Sequence, residues 1–287
     1  LASYEIQRRI GSGKFSVVDK ARRLENNSVC ALKKVQVFDI KDAKARDKCL
    51  KEVKLLQELR HETERLMENH VAPEDVKYQG QHVVERGADN ATIQKLLEWA
   101  PSRRALEEMA YGDFASSGGV IILTKDPGEP ALYWHQDWMQ WNDPLSTSPW
   151  PQIVFLSYYL QDTSPTNGCL KVIPGTHRKR IPLHDQLVPA HEQGARFIAA
   201  DHPVMFSDHP DQVDVAVKAG SLVMADARVL HAAHRNQTDV RRTLVLAWHL
   251  RPSTVPDYWT GAIPAPIAAR DPKAEYPGSR IPGRYLT

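Results

Sequence analysis

From residue 119 onward the chain consists of short segments rich in Val, Ile, Tyr and Trp, separated by clusters of Pro, Gly, Asn and Asp. Residues of these types favour strands, and the sequence predicts strands at 119–124, 131–137, 152–161, 169–173, 221–224 and 242–250. Two helices are expected before them, at 92–99 and 102–111. Several short strands with irregular loops indicate a sandwich or jelly roll and argue against a βαβ sheet.

The charge distribution divides the chain near residue 60. Residues 1–60 carry 15 Lys and Arg against 8 Asp and Glu, a net of +7, and the remaining residues carry 22 against 27, a net of −5. The first sixty residues also contain no Pro, Trp or His, although the chain has 20, 7 and 12 of them. We therefore expect a first segment at 1–60, a polar linker or lead-in at 61–90 and a main domain at 91–287.

The first segment, residues 1–60, contains motifs typical of a known enzyme class. Gly11 and Gly13 open a glycine-rich stretch, Lys33 lies on a predicted strand at 28–35, and Glu52 lies on a predicted helix at 41–59. In this order the features resemble the amino-terminal lobe of NIMA-related (Nek) protein kinases, which implies Lys33 as an ATP-contacting lysine and Glu52 as its partner. The His-Arg-Asp, Asp-Phe-Gly and Ala-Pro-Glu motifs do not occur in the sequence, so kinase activity is not expected.

Bulk composition excludes some classes. A hydrophobic content of 42%, a charged content of 25% and a net charge of +2 are ordinary for a globular protein and give no reason to expect nucleic acid as a partner. No apolar run approaches the roughly 20 residues that cross a bilayer. The three cysteines are widely spaced and form no CxxC pair, which favours a reducing, cytoplasmic compartment.

A His-x-Asp motif suggests a metal site. The chain has two, His135-Gln136-Asp137 and His209-Pro210-Asp211. The first lies in a predicted strand, where residues two apart point to the same side. The second has a proline at its centre and lies within a long insert, 184–214, where no strand would align the two side chains. His135 and Asp137 are therefore the preferred ligands.

A third ligand is expected from a later part of the chain. Two neutral imidazoles and one carboxylate on one side of the metal are the ligand set of non-haem iron(II) oxygenases. His231 and His234 both follow the predicted strand at 221–224, whereas His249 ends the last strand and is interpreted as a structural histidine.

The last predicted strand places a cation on its inner face. On the alternation of 242–248, Arg242, Leu244, Leu246 and Trp248 share the more core-like face. A buried guanidinium needs an anionic partner. A dicarboxylate cosubstrate would suit its fork of donors, and an internal salt bridge to an Asp or Glu is the alternative.

Three motifs together carry a family resemblance: Trp134-His135-Gln136-Asp137-Trp138, Asn167 through His177, and Gly220-Ser221-Leu222 followed by His231, Asn236 and Arg242. In this order they resemble the phytanoyl-CoA dioxygenase family over about residues 90–255. The resemblance implies a double-stranded β-helix (jelly roll) and Fe(II) held by His135, Asp137 and His231. It also implies 2-oxoglutarate as cosubstrate, held by Arg242. The family spacing between the distal histidine and the arginine favours His231 over His234 as the third ligand. Ascorbate is a further, optional cofactor that the resemblance implies.

The expected reaction is hydroxylation of a small or lipid-like substrate, with succinate and CO2 as coproducts. Two other readings remain open: a nucleotide-binding pseudokinase fragment and a metal-free jelly-roll binding protein. The insert at 184–214 is a candidate lid over the substrate, with a plain surface loop as the alternative. The sequence does not indicate the oligomeric state.

Overall fold

The computed structural model describes residues 4–13, 16–23, 29–35, 43–70, 79, 81–87, 89–188, 198–199 and 202–276. The chain divides into two compact units, Leu1–Gln57 and Glu58–Thr287. The first unit contains a three-stranded antiparallel sheet of β1 (Tyr4–Gly13), β2 (Ser16–Arg23) and β3 (Val29–Val35) in that order. Gly11 and Gly13 lie on β1 opposite Val18 and Ser16, whereas the side chain of Lys33 lies outside the described residues.

Helix α1 (Ala43–Glu68) begins in the first unit and ends in the second. It is longer than the helix expected from the sequence, which was predicted to end at residue 59. Strand β4 (His82–Gly87) also lies in the stretch expected to be a linker. Tertiary packing explains both differences, because Leu66 and Met67 form a buried cluster with Val84 of β4 and Ile122, a contact that local polarity does not reveal.

The second unit is built on two antiparallel sheets. The larger has the order β10-β7-β12-β5-β4 and the smaller the order β6-β11-β8-β9. Together they form the expected jelly roll. The strands of the second unit after β4 are β5 (Ala115–Lys125), β6 (Leu132–His135), β7 (Ile153–Tyr159), β8 (Leu170–Val172), β9 (Val213–Val215), β10 (Leu222–Asp226), β11 (His231–Ala233) and β12 (Arg242–Leu250).

Three helices accompany the sheets: α2 (Ala91–Leu97), α3 (Ala100–Glu108) and α4 (Ala265–Ala268). The Asn90 side chain caps α2 by accepting from the backbone N–H groups of Thr92 and Ile93, which satisfies two donors that a helix start leaves unpaired. Both helices and all six strands predicted after residue 90 are therefore found; β12 has the predicted bounds and the others have shifted ends. No helix in the described part of the chain is both long and apolar enough to cross a membrane.

The central strand β12 is buried on both faces. Its residues Arg242, Leu244 and Leu246 line an internal cavity, as their alternation predicted. Val245, on the other face, is fully buried beside its partner Ile122 of β5, which the end of α1 covers. The larger sheet is thus covered by helix on one side and by the smaller sheet on the other.

A buried arginine fixes the loop between β6 and β7. Arg228 is 1% exposed and pairs with the Asp226 carboxylate at 2.7 Å. Its guanidinium also donates to the backbone carbonyls of Ser146, Ser148 and Trp150, at 3.1, 2.7 and 3.1 Å. A planar group with five donors suits several converging acceptors.

Replacing Arg228 by Met should destabilise the second unit by about 3–5 kcal/mol, because the Asp226 carboxylate and three buried carbonyls would lose their partner. Denaturant unfolding monitored by circular dichroism measures this change. The matched control is Lys218→Met, which removes the exposed pair with Asp162 and should cost no more than about 1 kcal/mol. Equal effects of the two substitutions would contradict the role given to Arg228.

Candidate metal centre

Two imidazoles meet because two short strands are in register. In the pairing of β6 with β11, His135 lies directly opposite His231. Their ring centroids are 4.2 Å apart, and both residues are buried. Residues opposite each other on an antiparallel pair project to the same face, so both rings point into the space between the two sheets.

Asp137 completes the group from beyond the strand. The sequence predicted a strand through residue 137, but β6 ends at His135, so strand alternation does not orient the carboxylate. Instead the backbone N–H groups of Asp137 and Trp138 both donate to the carbonyl of Ala227 at 2.9 Å. This turn places the carboxylate oxygens 3.7 Å from His135 Nε2 and 3.5 Å from His231 Nε2.

The Nδ1 atoms of both histidines lie against backbone carbonyls. His135 Nδ1 lies 2.8 Å from the carbonyl of Tyr133, and His231 Nδ1 lies 3.0 Å from that of Val229. A carbonyl can only accept, so Nδ1 carries the proton and donates in each case. Each Nε2 then keeps its lone pair, the arrangement of metal-binding histidines. One ligand atom from each of the three residues lies within 4.8 Å of the others.

This donor set fits a divalent transition metal ion, for which imidazole nitrogens and a carboxylate oxygen are suitable ligands. Among the described residues it is the single group of three or more side chains with this spacing. The other histidines are placed differently. His234 Nε2 lies 2.8 Å from the Asp214 carboxylate. His249 is buried and His177 is half-buried, and desolvation lowers the pKa of both.

The second His-x-Asp motif does not contribute to this group of ligands. His209 and Asp211 lie 4.0 Å from each other in a surface stretch, where the Asp211 side chain is 80% exposed. No third ligand joins them among the residues that the structure describes. The proline at the centre of the motif and the absence of a strand there agree with the sequence-based choice of the first motif.

Arg242 lies in the same cavity as the three ligands. Its guanidinium is buried, and the one hydrogen bond found for it in the described part of the chain runs from Nη2 to Gln81 Oε1 at 3.4 Å. Its Nε has no partner there, and no carboxylate of the described residues lies within ion-pairing distance. Burial lowers the pKa of Arg242 from its usual range. The internal salt bridge left open by the sequence is therefore not found among the residues that the structure describes.

A second buried basic side chain lies beside Arg242. Lys125 of β5 is directly opposite Arg242 of β12, and its Nζ donates to the carbonyls of Pro130 and His234 at 2.7 and 2.8 Å. Burial first, and then the neighbouring Arg242 charge, lower the pKa of Lys125 well below its usual range. The buried guanidinium of Arg242, with this second basic side chain beside it, favours an anion at this end of the cavity.

The cavity has a volume of about 300 Å³ and lies between the two sheets. Besides the predicted residues, its lining includes three polar side chains that the sequence did not single out: Gln81, Ser157 and Tyr159. The alternation of β7 could have revealed Ser157 and Tyr159, because they share a face with Phe155. Gln81 carries no such signal, since it precedes a strand in a stretch that looks like a linker.

Comparison with known protein families identifies the family of this chain. The model of the family "Phytanoyl-CoA dioxygenase (PhyH)" matches residues 21–244, which is 224 of 287 residues and includes all four candidate site residues. The chain belongs to the phytanoyl-CoA dioxygenase family. The match begins inside the kinase-like segment, so part of that segment also falls within the family model.

Curated relatives match over shorter stretches. Ectoine dioxygenase from Nocardia farcinica is 28% identical over 52% of this chain and 49% of its own length. Phytanoyl-CoA dioxygenase 1 from Oryza sativa subsp. japonica is 34% identical over 38% of this chain and 34% of its own. The chain thus spans about half the length, or less, of these relatives.

Solved structures share the fold. The non-haem alpha-ketoglutarate-dependent epimerase SnoN from nogalamycin biosynthesis matches with a TM-score of 0.50 and 19% identity, over 74% of this chain and 81% of that one. HygX from Streptomyces hygroscopicus, solved with nickel and 2-oxoglutarate bound, has the same TM-score and identity, over 69% of this chain and 78% of that one. At this identity the likeness establishes the architecture alone.

Replacing His231 by Ala should weaken binding of Fe(II) or Co(II) by about 100-fold or more, because it removes a ligand as well as the hydrogen-bonded frame that orients it. Anaerobic metal titration monitored by calorimetry measures the affinity. His249→Ala is the matched control and should bind metal as the unchanged protein does. Loss of metal binding in the control, or unchanged metal binding in His231→Ala, would refute this assignment of ligands.

Proposed function

We propose that this chain is an Fe(II)- and 2-oxoglutarate-dependent dioxygenase that hydroxylates a C–H bond of a small or lipid-like organic substrate. Succinate and CO2 are the coproducts. One observation carries the proposal: His135, Asp137 and His231 converge in a cavity that also holds the guanidinium of Arg242, for which no acid of the described residues is a partner. Family membership supports the same chemistry.

In the proposed reaction the protein holds the metal with His135 Nε2, His231 Nε2 and one oxygen of Asp137. Bound there, Fe(II) supplies the chemistry by which 2-oxoglutarate and O2 oxidise a substrate. The Nδ1–H bonds to the carbonyls of Tyr133 and Val229 keep both rings in the orientation that ligation needs. Because Asp137 provides a carboxylate at the third protein position, no place is opened for a halide, and hydroxylation is favoured over halogenation.

Arg242 is proposed to bind the distal carboxylate of 2-oxoglutarate. A guanidinium can donate two parallel hydrogen bonds to a carboxylate, and such charge-assisted bonds are the strong ones. The anion would also offset the energetic cost of burying the Arg242 guanidinium beside a second basic side chain, Lys125. Gln81 is placed to orient the guanidinium through its carboxamide oxygen, and Tyr159 and the leucines of β12 keep bulk water away.

Anaerobic titration tests the proposal as a whole. Adding Fe(II) and 2-oxoglutarate together should produce a weak visible absorption band that neither produces alone. A substrate screen in air should then yield succinate. Absence of the band, together with absence of succinate across the screen, would refute the proposal and favour a metal-free jelly-roll binding protein.

Replacing Arg242 by Leu should weaken 2-oxoglutarate binding by about 100-fold, since two charge-assisted hydrogen bonds are lost. Metal affinity should stay unchanged. Without cosubstrate the variant should be at least as heat-stable as the unchanged protein, because a buried and poorly paired charge has been removed. The visible band measures 2-oxoglutarate binding, and calorimetric melting measures heat stability. A strongly destabilised variant would indicate a structural role for Arg242 instead.

Replacing Gln81 by Glu should place a carboxylate beside the guanidinium and create the internal ion pair that the described residues otherwise lack. This pair should raise the melting temperature of the cosubstrate-free protein and weaken 2-oxoglutarate binding by about tenfold or more. Gln81→Leu is the matched control, because it removes the carboxamide without adding charge and should cost less affinity. Unchanged 2-oxoglutarate affinity in Gln81→Glu would contradict the proposed position of the distal carboxylate.

A second proposal concerns residues 1–60, which we take to be a partial segment like a Nek kinase amino-terminal lobe. The antiparallel sheet β1-β2-β3 followed by α1, with half-buried Glu52 on the helix, supports this interpretation. Phosphoryl transfer is not expected, because the catalytic and metal-binding motifs are absent from the sequence. Weak ATP binding would show as thermal stabilisation that Lys33→Ala abolishes.

The cytoplasmic location suggested by the cysteines also stays a prediction.

A further inference from the structure

The cavity has two chemically different ends, which the strand register separates. Along β12, Leu244 lies opposite Tyr159 of β7, Leu246 lies opposite Ser157, and Trp248 lies opposite Phe155. Arg242 and Trp248 are six residues apart on one strand, which is about 20 Å. The polar end around Arg242 is thus well separated from the aromatic end.

The metal ligands lie toward the aromatic end. The ring of Phe155 is 5.4 Å from that of His231. On its other side Phe155 meets Trp248 edge to face, with centroids 5.9 Å apart and planes at 81°. Such edge-to-face pairs are favourable, and they leave ring faces available for a further aromatic or apolar group.

The mouth of the cavity is also apolar. Met139 lines the cavity and is 37% exposed, and Trp248 lines it and is half-buried, so this end reaches the surface. Near this end the lining strands carry the apolar side chains of Phe155, Leu246 and Trp248, with Ile121 of β5 and the hydroxyl of Ser157 of β7 on either side of Leu246.

Charge is confined to the groups already assigned. Among the described residues that line the cavity, only Asp137 and Arg242 carry a formal charge. Asp137 belongs to the metal site, and Arg242 lies at the far end. A charged substrate group would therefore lose its hydration at the aromatic end without meeting a counter-charge there, which is costly. An apolar group gains from the same burial.

We infer that the substrate presents an uncharged aromatic or alicyclic ring to the metal, held against Phe155 and Trp248. This inference rests on the proposed function, because it concerns the substrate side of the same cavity. Phe155 and Trp248 are then specificity-determining residues, and Met139 forms part of the entrance.

Three probes that share one ring and differ in charge test the inference: 4-fluorobenzyl alcohol, 4-fluorobenzylamine and 4-fluorobenzoate. Each is added to protein loaded with Co(II) and saturating 2-oxoglutarate, which occupies Arg242, and its fluorine resonance is compared with that in the Zn(II)-loaded protein. Paramagnetic broadening reports a probe near the metal. The alcohol should be broadened several-fold more than either charged probe.

Trp248→Ala should weaken binding of the alcohol by about fivefold, because an aromatic contact is lost. Trp259→Ala is the matched control, since Trp259 packs on Trp150 and does not line the cavity. It should leave the broadening unchanged.

The outcomes separate the two proposals. If Co(II) and 2-oxoglutarate bind but a charged probe is broadened as much as the alcohol, or no probe is broadened, the inference is overturned and the proposed function survives. If Co(II) or 2-oxoglutarate fails to bind in the titration made first, both are overturned.

Discussion

The site depends on the pairing of two very short strands. β6 has four residues and β11 has three, yet their register sets His135 opposite His231. A shift by one residue would turn one imidazole to the opposite face of the sheet. Two further contacts hold this geometry: the pairing of β11 with β8, and the hydrogen bonds from the backbone N–H groups of Asp137 and Trp138 to the carbonyl of Ala227.

Much of this arrangement could be predicted from the sequence. His135 and Asp137 were distinguished from His209 and Asp211 by local context, and Arg242 by the alternation of one long strand. These inferences depend on short-range geometry, which a sequence displays directly, and the structure places His135, Asp137 and Arg242 in one cavity. The preference for His231 over His234 came from the family spacing, since local pattern left both open.

The remaining features depend on tertiary packing. β11 is too short to show a period of two, and the final turns of α1 are polar in sequence although Leu66 and Met67 pack on the sheet. Asp137 is oriented by a turn that the predicted strand did not anticipate. Lys125 is a buried lysine on a strand, stabilised by the nearby carbonyl of Pro130 and by the carbonyl of His234 from a distant segment, and no local rule would place it there.

The length of β12 has a consequence for how this fold diversifies. In the proposed function, one strand carries the cosubstrate contact at its first residue and a wall of the substrate chamber at its seventh, while the opposite sheet supplies the two histidine ligands. Exchanging side chains near residue 248 can thus reshape what enters the chamber without disturbing either the anchor at residue 242 or the ligands. On this proposal, the separation of the two roles along a single strand lets selection alter the choice of substrate while the oxidative chemistry is inherited intact.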